Sequence, residues 1–100
     1  LHLHATVISV GRRWAVADAG LKAMAVDHGN PSVEDGKVWF VSDEHTTFSP
    51  ADDGAPLPHV GDRVRIAPSH IDPTIAMHER IYLVDGEDVV DQWPVDLRGW

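Results

Sequence analysis

Apolar and polar positions along this chain alternate mostly with a period of two, and turn-forming residues interrupt the alternation at short intervals. "LHATVISV" alternates from Leu3 and is rich in β-branched residues, which predicts a half-buried strand. "WAVADAG" follows the Gly11-Arg12-Arg13 turn and ends at Ala19-Gly20. "LKAMAVD" forms a third run, closed by the turn formers of "HGNPS". "KVWFVSDEH" is a fourth, entered through Asp35-Gly36, a hairpin signal, and "TTF" adds a short fifth. "SPADDGAPLPHVGD" holds three prolines and two glycines and reads as a loop. "RVRIAPS" is the next strand, and "IYLVD" and "DVVDQWPV" pair across Gly86-Glu87 as a final hairpin. Helical character is confined to "DPTIAMHE", with Asp72 as N-cap and Pro73 at the first helical position.

Seven or eight short strands, tight turns and one brief helix define an all-β chain. They predict a small antiparallel β-barrel, since closure removes the exposed sheet edges that make a strand-rich chain associate. One hundred residues suit one domain, 1–100. An apolar share of 43% is enough for a core and argues against disorder. Alternation is already under way at Leu1, which predicts that the sequence is the C-terminal part of a longer protein.

Charge narrows the function classes. Sixteen acidic residues against eight basic ones, with Arg12-Arg13 as the sole adjacent basic pair, argue against a nucleic-acid partner. No apolar run approaches the roughly 20 residues of a membrane helix, and the start does not resemble a signal peptide. The absence of cysteine removes disulfides, thiolate ligands and a cysteine nucleophile, and is compatible with a cytoplasmic location.

The candidate chemistry lies in "PSHIDPTIAMH". On an extended backbone, His70 and Asp72 leave the same face. An imidazole nitrogen and a carboxylate oxygen could there meet one divalent ion, with other positions left to water or substrate. The alternative is a strand-end histidine followed by a helix-capping aspartate, and the residues alone leave both open. His45, in "SDEH" where a strand meets a loop, is a candidate catalytic group at the same mouth or part of a solvated acidic turn. His78 is expected to cap the helix C-terminus, and His2 and His4 share one face of the first strand. Lys22 is expected to be an exposed strand lysine, because a Schiff-base lysine needs a desolvating pocket. Phosphate-loop, nucleophile-elbow and zincin motifs are absent, so the chain alone carries no complete active site.

"DAGLKAMAVDHG", "VSDEH", "VGDRVRIAPSHIDPT" and "ERIYLVDGEDVVDQWPV", in this order, resemble the C-terminal domain of the D-threonine aldolase and D-serine dehydratase family. These are fold-type III pyridoxal phosphate enzymes related to alanine racemase, and the similarity runs from the first strand to the closing "WPV…RGW". The resemblance implies an alanine racemase-like β-barrel preceded by a (β/α)₈ domain, in a homodimer. Pyridoxal phosphate would be held mainly by that first domain, which carries the Schiff-base lysine, so Lys22 is not that residue. The family's His-x-Asp or His-x-Cys segment supplies two ligands to a divalent metal, a role that passes to His70 and Asp72. The dehydratases have cysteine with zinc at the second position. A carboxylate there is harder, which favours Mn²⁺ or Mg²⁺ over Zn²⁺ and the aldolase side. Ile71 replaces the cysteine found between the ligands in similar aldolases.

The implied reaction is retro-aldol cleavage of a D-β-hydroxy-α-amino acid to glycine and an aldehyde. Pyridoxal phosphate would serve as the electron sink, the metal would assist deprotonation of the β-hydroxyl, and His45 would act as acid or base. Alternatives are a D-serine dehydratase, or a non-catalytic barrel serving dimerisation and substrate gating or standing alone as a small binding protein.

Overall fold

The computed structural model describes residues 1–96 and Arg98, so Gly99 and Trp100 of the "RGW" segment lie outside the described residues. Eight strands and one helix follow in order. They are β1 (Leu3–Val10), β2 (Ala15–Ala17), β3 (Ser32–Val33), β4 (Gly36–Val41), β5 (Thr46–Pro50), β6 (Arg63–Ala67), α1 (Ile71–Ala76), β7 (Arg80–Asp85) and β8 (Asp88–Pro94). The first six strands form one antiparallel sheet in the order β3-β6-β1-β2-β5-β4. Its end strands, β3 and β4, are joined by Glu34 and Asp35 alone, and Asp35 takes φ 56° to make that turn. So short a link draws the two edges together, and the sheet curls into the nearly closed barrel expected of the sequence.

Register explains the alternation. Leu3 pairs with Ile66 and Ala5 with Val64 between β1 and β6, while Val7 pairs with Ala17 and Val10 with Ala15 between β1 and β2. Ala5, Val7, Ala15 and Ala17 all point into the bore, with Phe48 and Ile66 filling its width. Alanines at these positions keep the bore narrow. Bulges between Val7 and Ser9 and between Val38 and Phe40 add the bending that closure requires.

The run "LKAMAVD" is not a strand. Gly20 lies so close to the 42–45 turn that the next amides bond across it: Leu21 N–H donates to Ser42 O (2.9 Å) and Lys22 N–H to Asp43 O (2.9 Å). Ala23 N–H then donates to Gly20 O (2.9 Å), closing a turn that drops Met24 into the core. The apolar spacing read as a strand is therefore that of a loop plugging the barrel. Ser32, read as the end of a turn, instead opens a short strand with Val33 that pairs with β6.

The helix also begins earlier than expected, at Ile71, with His70 rather than Asp72 in the cap position. His70 is held extended (φ −137°, ψ 114°) by a bridge to Ala25, so the chain can turn helical only after it. Pro73 at the third helical position costs no hydrogen bond, because the first four helical N–H groups lack partners within the helix.

The β7–β8 hairpin, turning through Gly86 (φ 61°), forms a separate two-stranded sheet. Tyr82, Val84, Val89, Val90 and Trp93 are all exposed on it. Among the described residues no helix is long and apolar enough to cross a membrane.

Candidate metal centre

The site is built where β6 gives way to α1 and meets the loop 20–28. Three contacts clamp the loop to the helix. Ala25 bridges His70 in antiparallel fashion. The Thr74 hydroxyl accepts from Ala25 N–H (3.0 Å) and donates to His70 O (2.7 Å). His78 Nε2 donates to Ala23 O (2.6 Å). His78 thus binds the loop instead of capping the helix's own carbonyls, as the sequence had suggested. Ser69 Oγ adds a fourth tie, donating to Gly29 O (2.8 Å).

Two residues past the Ala25 bridge, the loop brings Asp27 against the His70 ring, with Oδ2 2.7 Å from Nδ1. The hydrogen bond from His70 holds the Asp27 carboxyl below the usual carboxylate range, and the neighbouring positive potential of His28 adds to the effect. His28 stacks on His70, with centroids 3.9 Å apart and planes 7° from parallel. Its Nε2 lies 3.7 Å from the same Asp27 oxygen, too far for a hydrogen bond.

Asp27, His28 and His70 thus bring three potential ligand atoms within 4.8 Å of one another. The stack decides how they can act. An imidazole nitrogen offers its lone pair in the ring plane, and two nearly parallel planes one ring-thickness apart do not meet within a bond length of about 2.1 Å. His28 and His70 therefore cannot both coordinate one ion in this arrangement. His70 has Nδ1 engaged, and among the described residues no hydrogen bond engages Nε2. A metal-binding histidine almost always donates its other ring N–H to a carboxylate, a backbone carbonyl or water, and Asp27 would be such a partner for His70. The residues present fit a divalent metal at His70 Nε2.

Asp72 sits in the first helical turn, exposed, and makes no side-chain hydrogen bond among the described residues. The strand argument that placed it beside His70 does not apply, because extended backbone ends at His70. Asp72 is not in the potential ligand group that contains His70, so a pairing of these two residues as ligands rests on the family resemblance. His45 is half-buried in the 42–45 turn, where its carbonyl accepts from Ser42 N–H (2.8 Å). It belongs to no potential ligand group, yet its turn contacts the loop that carries Asp27. Lys22 is exposed and paired with Glu44 at 2.8 Å, which raises its pKa, the reverse of what a Schiff-base lysine needs. The chain offers no lysine fit for pyridoxal phosphate at that position. His2 lies on the surface before β1 and His4 exposed within it, neither in a ligand group.

Asp27 and His28 were not legible as site residues. "VDHG" reads locally as a strand end running into a turn, and only the Ala25–His70 bridge shows what it faces.

Residues 1–84 match the putative serine dehydratase domain, and the chain belongs to that family. It is 41% identical over 88 residues to 3-hydroxy-D-aspartate aldolase of Paracoccus denitrificans (strain Pd 1222), a match covering 85% of this chain and 22% of that protein. Among solved structures, D-threonine aldolase from Filomicrobium marinum superposes with TM-score 0.82 at 34% identity, covering 93% of this chain and 26% of that one. An alanine racemase-like protein from Idiomarina loihiensis shares the fold, with TM-score 0.77 at 24% identity, over 93% of this chain and 30% of that one. The chain thus spans about a quarter of the length of the aldolases it matches. It also matches an uncharacterized protein of Mycobacterium tuberculosis (strain ATCC 25618 / H37Rv) at 31% identity over 117 residues, 99% of this chain and 84% of that protein.

Proposed function

We propose that this chain is the metal-bearing C-terminal domain of a pyridoxal phosphate-dependent lyase of D-β-hydroxy-α-amino acids, of the D-threonine aldolase type. The observation that supports the reading is His70 itself, its Nδ1 taken by Asp27 while, among the described residues, no hydrogen bond engages its Nε2. Asp72, two residues further on in the first helical turn, is the proposed second ligand. Its carboxylate favours Mn²⁺ or Mg²⁺, and a thiolate would have favoured Zn²⁺.

Bound there, the metal would supply a Lewis acid for the β-hydroxyl of the substrate. Pyridoxal phosphate, held by a preceding (β/α)₈ domain, would supply the electron sink for the Cα–Cβ cleavage. This chain's own part is to orient the ligand imidazole and to carry His45 on the turn against the same loop, as the proposed proton-transfer group. The exposed apolar side chains of β7–β8 offer surface for the preceding domain or a second protomer to cover.

His70→Ala and Asp72→Ala in the full-length enzyme test this reading. Both are expected to abolish retro-aldol turnover while the visible absorption of bound cofactor remains. Normal turnover in both would refute the ligand assignment.

The mycobacterial relative supports a second reading, because this chain spans most of its length. A barrel of this kind standing alone would act by binding and not by catalysis. Finding a (β/α)₈ domain with a cofactor lysine encoded upstream of Leu1 in the same reading frame would exclude it.

A further inference from the structure

We infer that Asp27 is a positioning residue for His70, fixing the imidazole in the form that presents Nε2 to a cation. The inference rests on the reading of His70 as a metal ligand. An ionised carboxylate can only accept, so at 2.7 Å from Oδ2 the Nδ1 of His70 carries the ring proton. A neutral imidazole has one such proton, which leaves the lone pair on Nε2, the form a metal requires.

The surroundings commit the carboxylate to this task. The other imidazole near Oδ2, that of His28, stands at 3.7 Å and is stacked on the His70 face, where it opposes rotation of the ring without competing for an ion in the ring plane. Asp27 itself cannot drift far. Its loop is tied at Ala25 to His70 and Thr74, at Ala23 to His78 and at Gly29 to Ser69. The loop therefore sets the orientation of a ligand that it does not itself contain.

The test has one readout that needs no metal. Long-range ¹H–¹⁵N spectra of the intact protein, at a pH where His70 is neutral, report which ring nitrogen bears the proton. Wild type is expected to carry it on Nδ1. Asp27→Ala is expected to lose that preference, and Asp27→Asn, which keeps an acceptor oxygen, to restore it. Titration with Mn²⁺ alone should show affinity reduced about 10- to 100-fold in Asp27→Ala, with a smaller loss in Asp27→Asn. A wild-type proton on Nε2, or an Asp27→Ala protein that binds Mn²⁺ within threefold of wild type, overturns the inference. His70→Ala separates the two claims. Unchanged Mn²⁺ affinity in that variant defeats the ligand reading, whereas the wild-type proton position still decides whether Asp27 sets the ring.

Discussion

Oδ2 of Asp27 lies 2.7 Å from Nδ1 of His70, across 43 positions of sequence. The Ala25–His70 bridge sets the loop antiparallel to the end of β6 and carries Asp27 past the ring, and the ties to Thr74, His78 and Ser69 hold it there.

The Asp27 carboxyl titrates below its ordinary value because the His70 hydrogen bond favours the charged form. A lowered folded-state pKa contributes stability above the unfolded value of about 3.9, and the contribution disappears as pH falls through the folded value. The acid limb of the stability profile should therefore contain an Asp27 term that vanishes in His70→Ala. Carbon-13 titration of the carboxyl checks it: in His70→Ala the midpoint should rise toward the ordinary value. An identical midpoint in both proteins would show that His70 is not the cause.

Thr74 is 2% exposed and joins the helix to the loop through two hydrogen bonds. Thr74→Val keeps the shape but removes both, leaving the Ala25 amide without its hydroxyl acceptor. A buried donor left unpaired costs about 1–3 kcal/mol, and urea unfolding should show a loss in that range. Thr74→Ser, which keeps the oxygen, should lose less. Equal losses in the two variants would mean that packing and not the hydroxyl holds the loop.

Gly20 tests the other end of the same loop. A Cβ at this position would lie 2.5 Å from His45 N and closer still to Ser42 O, both backbone atoms that cannot rotate aside. Gly20→Ala should therefore displace the 42–45 turn and cost about 1–3 kcal/mol, the usual range for overpacking. Amide shifts of Ser42 and His45 report the displacement directly. A variant with wild-type stability and unmoved amides would contradict the close approach.

How far the sequence led depended on the range of the interactions involved. β1, β6 and the β7–β8 hairpin were legible because a period of two and a turn residue such as Gly86 are properties of neighbouring residues. The loop 20–28 was not. Leu21, Ala23 and Ala25 alternate with polar or core-seeking neighbours as a strand would, but amides bonded to Ser42 and Asp43 override the local pattern. His70 was singled out by its motif, yet Asp27 and His28 could be found only once the bridge to Ala25 was known. The same bridge ends the extended backbone at His70; the helix starts directly after it, at Ile71, and so earlier than expected, which leaves Asp72 inside the first turn rather than at the cap.

Asp72 gives a prediction about metal preference that activity alone does not provide. If His70 and Asp72 share an ion, the second ligand sets its hardness, and Asp72→Cys exchanges a carboxylate for a thiolate without touching the His70–Asp27 pair. Asp72 is exposed and makes no side-chain hydrogen bond among the described residues, so the exchange should leave folding intact. Soft thiolates select Zn²⁺, whereas carboxylates suit Mn²⁺ and Mg²⁺. Competition titrations should therefore show the Zn²⁺:Mn²⁺ affinity ratio rising at least about tenfold in the variant, a shift of about 1.4 kcal/mol. An unchanged ratio, with His70→Ala still weakening binding, would remove Asp72 from the coordination shell and leave His70 as the ligand this chain contributes.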